Sequence, residues 1–340
     1  MKRYAPPVSL AVVGAGSWGT TIAHHLAVMK HRVSLWAFEE DVAREIAGKH
    51  ENSLYLQGHA LDPSIRPSSF LEEVLPGSEA VVFVTPSHVA RDVLRRAVPL
   101  LPRGIPLVIA SKGIETESLK TMSEVFEEEL PAGEGFTLAF LSGPSFAREV
   151  VRGLPTAVSV ASGDPGTAAF VQKLFSTENF RAYTNPDITG VEIGGALKNV
   201  MAIAAGISDG LELGHNARSA LITRGLAEMI RLGVALGADE RTFAGLSGLG
   251  DLVLTCTGDL SRNRTVGMKL GRGQRIKEIL DEMHMVAEGV KTTLAAVRLA
   301  RKVGVELPIA EQIYSVLYED REPRSALQDL MSRELRSEVG

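Results

Sequence analysis

Short apolar runs alternate with amphipathic segments from residue 8 to about residue 184, and the alternation stops at Asn185-Pro186-Asp187. The runs at 8–14, 32–36, 80–85, 106–110, 137–141, 156–161 and 180–183 read as strands. Between them, segments such as 18–29, 70–75, 88–98, 119–130 and 168–175 place apolar residues at helical spacing. Such alternation implies a Rossmann-like α/β fold, a parallel, doubly wound sheet covered on both faces. Ser69 with Glu72 makes a capping box for the helix at 70–75. Beyond residue 186 the pattern is helical, at 188–207, 217–236, 261–270, 277–282, 291–303 and 309–317. A chain of 340 residues is long for one core. Two domains are therefore expected, an α/β domain over 1–186 and an all-α domain over 187–340, with a cleft between them. The charge-rich tail after Asp320 reads as a solvated terminal helix.

The first strand runs straight into Gly14-Ala15-Gly16-Ser17-Trp18-Gly19, which fits G-x-G-x-x-G. With this glycine content chance alone gives roughly 0.3 such matches, so the spacing by itself says little. Its context says more: a hydrophobic strand precedes it, a helix follows, and a second strand ends some twenty residues later in Trp36-Ala37-Phe38-Glu39-Glu40. Gly14, Gly16 and Gly19 permit a tight turn and let a pyrophosphate approach the positive end of the helix. Residues 1–186 thus read as a dinucleotide-binding domain. Glu39 and Glu40 stand where an acidic side chain accepts ribose hydroxyls, and the nearest arginine is Arg44. That leans towards NAD rather than NADP.

The net charge of −5 gives no whole-protein attraction to nucleic acid or to an anionic membrane. The one cysteine, Cys256, excludes an intramolecular disulfide and a cysteine-based zinc cage. It fits a reducing cytoplasm and reads as a buried structural thiol. Met1-Lys2-Arg3 ahead of residues 8–13 imitates a signal peptide, but Pro6-Pro7 interrupts it and the apolar run leads into the glycine loop. No run approaches the ~18 apolar residues of a membrane span. No metal-ligand cluster is visible, and the adjacent His24 and His25 point to different faces of their helix.

Lys198 is the one charged residue between Glu192 and Asp209, in a helix of apolar and small residues. A lysine there either snorkels out of a half-buried helix or, desolvated, exchanges protons near neutral pH. Lys112, directly after an apolar strand, is a fixed cation at the cleft mouth. The loops Thr85-Pro86-Ser87-His88, Ser111-Lys112-Gly113 and Ser142-Gly143-Pro144-Ser145-Phe146-Ala147 leave strand C-termini and line the same crevice. Downstream, Gly248-Leu249-Gly250-Asp251-Leu252 precedes Ser261-Arg262-Asn263-Arg264. Ser261 reads as a helix N-cap, which sets the Arg262 guanidinium beside a helix N-terminus, a pairing suited to phosphate.

Taken in order, the glycine loop, Ser111-Lys112-Gly113, the 142–147 loop, Gly195-Ala196-Leu197-Lys198-Asn199, Gly248–Leu252, Ser261-Arg262-Asn263 and Ala287-Glu288-Gly289 resemble bacterial-type NAD(P)-dependent glycerol-3-phosphate dehydrogenases over nearly the full length. The resemblance implies a 6-phosphogluconate-dehydrogenase-like helical half, and reduction of dihydroxyacetone phosphate to sn-glycerol 3-phosphate for glycerolipid synthesis by a cytoplasmic homodimer. It implies that Lys198 is the proton donor or acceptor. It implies that Lys112, Gly143, Ser145, Lys198, Asp251, Ser261, Arg262 and Asn263 hold the substrate. Ser17, Trp18, Phe38, Lys112, Ala147, Arg262, Val286 and Glu288 then contact the dinucleotide. Lys112 and Asn199 share the work of polarising the carbonyl, and Asp251 either orients Lys198 or holds a substrate hydroxyl. The chain departs from many bacterial members at Phe38 and Glu39, where they carry arginine or histidine. The rival readings are another two-domain hydroxy-acid or 6-phosphogluconate-type dehydrogenase, and a non-catalytic dinucleotide redox sensor.

Overall fold

The computed structural model describes residues 7–283, 287–335 and 337. Eight strands form one sheet: β1 (Ser9–Val13), β2 (Arg32–Trp36), β3 (Arg66–Ser68), β4 (Ala80–Phe83), β5 (Pro106–Ile109), β6 (Thr137–Ser142), β7 (Thr156–Ala161) and β8 (Phe180–Asn185). Their order across the sheet is β3-β2-β1-β4-β5-β6-β7-β8. Helices α1 (Ser17–Val28), α2 (Glu40–Lys49), α3 (Leu71–Val74), α4 (Ser87–Ala97), α5 (Met122–Glu129), α6 (Ala147–Val150) and α7 (Pro165–Phe175) lie between strands. Successive side chains of β1 leave on opposite faces. Leu10 and Val12 join the core with Ile22, Leu26 and Val171, whereas Ala11 and Val13 join Leu94, Val125 and Phe126. Both faces are therefore buried, which is why the central strands carry no polar alternation.

One strand departs from the parallel sheet expected. β7 runs antiparallel to β6, pairing Leu141 with Val160, and β8 is then parallel to β7. The connection 143–155 holds a single helical turn, α6, and is too short to carry a full crossover helix back to the start of the sheet. The edge strand β3, Arg-Pro-Ser, has no apolar signature and was absent from the expected set. The capping box expected from Ser69 and Glu72 does not form. Phe70 is the N-cap of α3; the Ser68 hydroxyl accepts from the Phe70 amide at 3.1 Å and donates to Glu73 at 2.6 Å, one register earlier.

The second half is helical: α8 (Ile188–Gly210), α9 (Gly214–Ala235), α10 (Asp251–Thr257), α11 (Arg262–Gly271), α12 (Ile276–Asp281), α13 (Glu288–Val303), α14 (Pro308–Tyr318) and α15 (Pro323–Met331). Asp187 caps α8, accepting from the Gly190 amide at 2.8 Å. By length and composition α8 could cross a membrane, contrary to the expectation that no run approaches a span, but 94% of its apolar stretch is buried inside the fold. Helices α9, α10, α11 and α13 cover it. Against α11 the contact is backbone on backbone: a Cβ on Gly206 would stand 2.1 Å from the Arg264 carbonyl, and one on Gly267 would stand 2.0 Å from that of Ile203. The two halves also interlock. Ile114, from the loop after β5, is buried in the core around α8, and Val191 of α8 is buried under the sheet.

Candidate active site

The glycine loop shapes one end of the cleft. Gly14 has φ +116°, and a Cβ there would stand 2.9 Å from the Val84 carbonyl; one on Gly19 would stand 1.8 Å from the Gly14 carbonyl. These two glycines bring α1 against the sheet. Gly16 differs, because a Cβ there meets nothing within 4 Å. It is the N-cap of α1 and supplies no side-chain cap. An open, positively polarised helix end of this kind fits a dinucleotide pyrophosphate.

Residues distant in sequence brace the loop. The Asn52 amide donates to the Ala15 carbonyl at 2.9 Å and to the Thr20 hydroxyl at 2.8 Å. The Ser17 hydroxyl donates to the Tyr55 carbonyl at 2.6 Å. Trp18, Tyr55 and Ala147 each pack against the core on one face of the sheet, and Ala147 opens α6. Past the end of β2, Phe38 is 71% exposed and stands edge-on to Trp36. The Glu39 carboxylate accepts from the Tyr55 hydroxyl at 2.7 Å. Arg44 pairs with Asp41 at 2.6 Å.

At the other end, three residues from three elements meet. Lys198 lies on α8 and is 8% exposed; its Nζ donates to Asp251 Oδ1 at 2.5 Å. Lys112 follows β5, and its Nζ donates to Asp251 Oδ2 at 2.9 Å and to the Gly143 carbonyl at 3.4 Å. Asp251 is the first residue of α10 and is 1% exposed. Burial would raise its carboxyl, but the Lys112 and Lys198 ammonium groups hold it below the usual carboxylate range. Burial pulls the Lys198 amine down to about 8; Asp251 opposes that pull and the like charge of Lys112 adds to it. With two cations on one anion, the trio carries net positive charge, and Lys198 titrates close to neutrality. A Cβ on Gly195 would stand 2.8 Å from the Ser142 hydroxyl, so glycine is what lets α8 pass beside Lys112. The snorkelling alternative for Lys198 does not hold: its ammonium turns inward to a buried carboxylate.

Ser261 caps α11 with its hydroxyl on the Arg264 amide at 3.2 Å. Arg262 is exposed in the first turn and makes no hydrogen bond or ion pair among the described residues. Asn263 is buried. It donates to Asn199 Oδ1 at 2.9 Å and accepts from the Gly289 amide at 3.0 Å, tying α11 to α8 and α13 next to Lys198. Ser145 donates to the Gly143 carbonyl at 2.9 Å. Glu288 accepts from the Ser87 hydroxyl at 2.9 Å, and burial raises its carboxyl while Ser87 and Arg262 oppose the rise. Val286 lies outside the described residues.

Four contributors were absent from the expected site set. Asn52 and Tyr55 carry no local signal, since they reach the glycine loop only through the fold. Ser87 and Ser142 stand inside loops already singled out. The buried Ser142 hydroxyl has no hydrogen-bond partner among the described residues and faces the Lys112 stem.

Comparison with known proteins bears on the whole chain. Residues 9–168 match the family description "NAD-dependent glycerol-3-phosphate dehydrogenase N-terminus", and 187–328 match the corresponding C-terminus. The chain is 58% identical to the glycerol-3-phosphate dehydrogenase [NAD(P)+] of Geobacter sulfurreducens, over 97% of this chain and 98% of that one. It is 56% identical to that of Syntrophotalea carbinolica, over 98% and 100%. The crystal structure of glycerol-3-phosphate dehydrogenase from Coxiella burnetii superposes with a TM-score of 0.92 at 40% identity, covering 96% of this chain and 99% of the other.

Proposed function

This chain belongs to the NAD-dependent glycerol-3-phosphate dehydrogenase family, and from that membership we infer how its cleft carries out the NAD(P)H-dependent reduction of dihydroxyacetone phosphate to sn-glycerol 3-phosphate. The observation that carries the reading is the Lys112–Asp251–Lys198 bridge, in a chain whose glycine loop leads into an α1 N-terminus with no side-chain cap. Residues 1–186 hold the dinucleotide, and residues 187–340 supply most of the substrate site. When bound, the nicotinamide supplies a hydride to the C2 carbonyl carbon of the substrate. Lys198, as an ammonium, gives a proton to the C2 oxygen; in the reverse direction its neutral amine takes that proton back. An amine near pH 8 suits both roles. Lys112 is a second cation beside the same carboxylate and polarises the carbonyl, with Asn199 next to Lys198 in support. Asp251 orients both ammonium groups.

Arg262, exposed and without a hydrogen bond among the described residues, binds the substrate phosphate together with the N-terminus of α11. Ser261 and Asn263 set the direction of that turn, Gly143 and Ser145 line the opposite wall, and Glu288 and Phe38 border the dinucleotide. The family likeness further implies a cytoplasmic homodimer that supplies glycerophospholipid synthesis.

Oxidation of NADH and of NADPH, each with and without dihydroxyacetone phosphate, tests the reaction. Substrate-dependent oxidation is expected; coenzyme binding with no oxidation would remove the assignment. Arg262→Ala should raise KM for dihydroxyacetone phosphate roughly tenfold to a hundredfold, the worth of a hydrogen bond to a charged group, and leave coenzyme binding less affected. An unchanged KM would place the phosphate elsewhere.

A further inference from the structure

The segment after α2 does more than connect two elements. Tyr55 is held at three points. Its amide donates to Asn52 Oδ1 at 3.1 Å, its carbonyl accepts from Ser17 at 2.6 Å, and its hydroxyl donates to Glu39 Oε1 at 2.7 Å. Asn52 in turn holds the Ala15 carbonyl of the glycine loop. One tyrosine thus joins the loop that cradles the pyrophosphate to the carboxylate past the end of β2, where a ribose 2′-hydroxyl binds in this fold. Burial and the Glu39 carboxylate push the phenol up to about 12, so it remains a donor throughout the physiological range.

A carboxylate held by one oxygen keeps the other free to accept ribose hydroxyls. It also stays in place against a 2′-phosphate, whose negative charge it repels. Left unheld, a glutamate side chain could swing aside and admit the phosphate. Two arginines stand on either side, and each has a partner: Arg44, one turn into α2, pairs with Asp41, and Arg96 lies over the Trp36 ring at 5.9 Å. We propose that Tyr55 is a specificity-determining residue, which fixes Glu39 in the 2′-site and makes the enzyme prefer NADH over NADPH. Tyr55 is a positioning residue in this scheme, because it acts through Glu39. The proposal rests on the dinucleotide reading of the cleft but not on the identity of the substrate.

The test is binding of NADH and NADPH by fluorescence titration, with no substrate present, to the wild type, Tyr55→Phe, Glu39→Ala and the double variant. The wild type should bind NADH more tightly than NADPH. Tyr55→Phe, which keeps the ring and deletes the donor, should lower that ratio about threefold to tenfold. Glu39→Ala should lower it at least as far, and the double variant no further than Glu39→Ala, since the hydroxyl acts only through the carboxylate. A role in bracing the fold alone would weaken both coenzymes alike and leave the ratio unchanged. That result would overturn the proposal, as would additive effects in the double variant or a wild type that prefers NADPH. Because no substrate is present, a failure here is separable from a failure of dihydroxyacetone phosphate reduction.

Discussion

Replacing Lys198 with alanine should lower kcat by ~10²–10⁴, the range for a general acid–base group, with the fold kept. The fold survives because Asp251 is not stranded. Lys112 remains 2.9 Å from its second oxygen, so the buried carboxylate keeps a cation. Coenzyme affinity should move far less than kcat, since the Lys198 ammonium is bonded to Asp251 and not to the glycine loop. The wild-type pH profile carries the sign of the mechanism. Reduction uses the ammonium, so its kcat should hold below about pH 8 and fall above it; oxidation uses the amine and should rise through the same region. Steady-state kinetics in both directions, with circular dichroism to confirm folding, measure this. Near-normal turnover in the variant, or a wild-type limb running the other way, would remove Lys198 from the chemistry.

Gly206→Ala should destabilise the protein by about 3 kcal/mol. The new methyl would stand 2.1 Å from a backbone carbonyl, which cannot rotate away as a side chain end would. Either α11 shifts or α8 bends, and α11 carries Arg262 and Asn263 at its start. The substrate KM should therefore rise along with the loss of stability. Gly48→Ala makes the contrast. That glycine is exposed near the end of α2, and its added methyl meets nothing within 4 Å. This substitution should stabilise by up to about 1 kcal/mol. Denaturant midpoints of the two variants decide the matter; a tolerated Gly206→Ala would mean that the α8–α11 contact is far softer than its backbone spacing indicates.

Much of this was legible in the chain, and the exceptions have physical causes. Apolar runs such as 80–85 announce buried strands, and the helical half announces itself by the spacing of its apolar residues. The direction of β7 is not legible, because burial on both faces leaves the same pattern whichever way a strand runs. The three-residue β3 has no apolar face to detect. In the site, Lys112, Lys198 and Asp251 were each nameable, but not the fact that one carboxylate holds both lysines, because 139 and 53 residues separate the partners. The Tyr55 hydroxyl was hidden for the same reason: only the fold brings it to Glu39.

The shared carboxylate also has a mechanical meaning. Asp251 and Lys198 ride on the same half of the molecule, whereas Lys112 rides on the other. Any spreading of the halves lengthens the Lys112 contact and leaves the Lys198 contact intact. Lys198 would then regain solvent and lose a like charge, and both changes would make it grip its proton harder; shutting the gap would loosen that grip. Any change in the width of the opening would thus register in the strength of the acid, with the proton freest when the walls stand closest together.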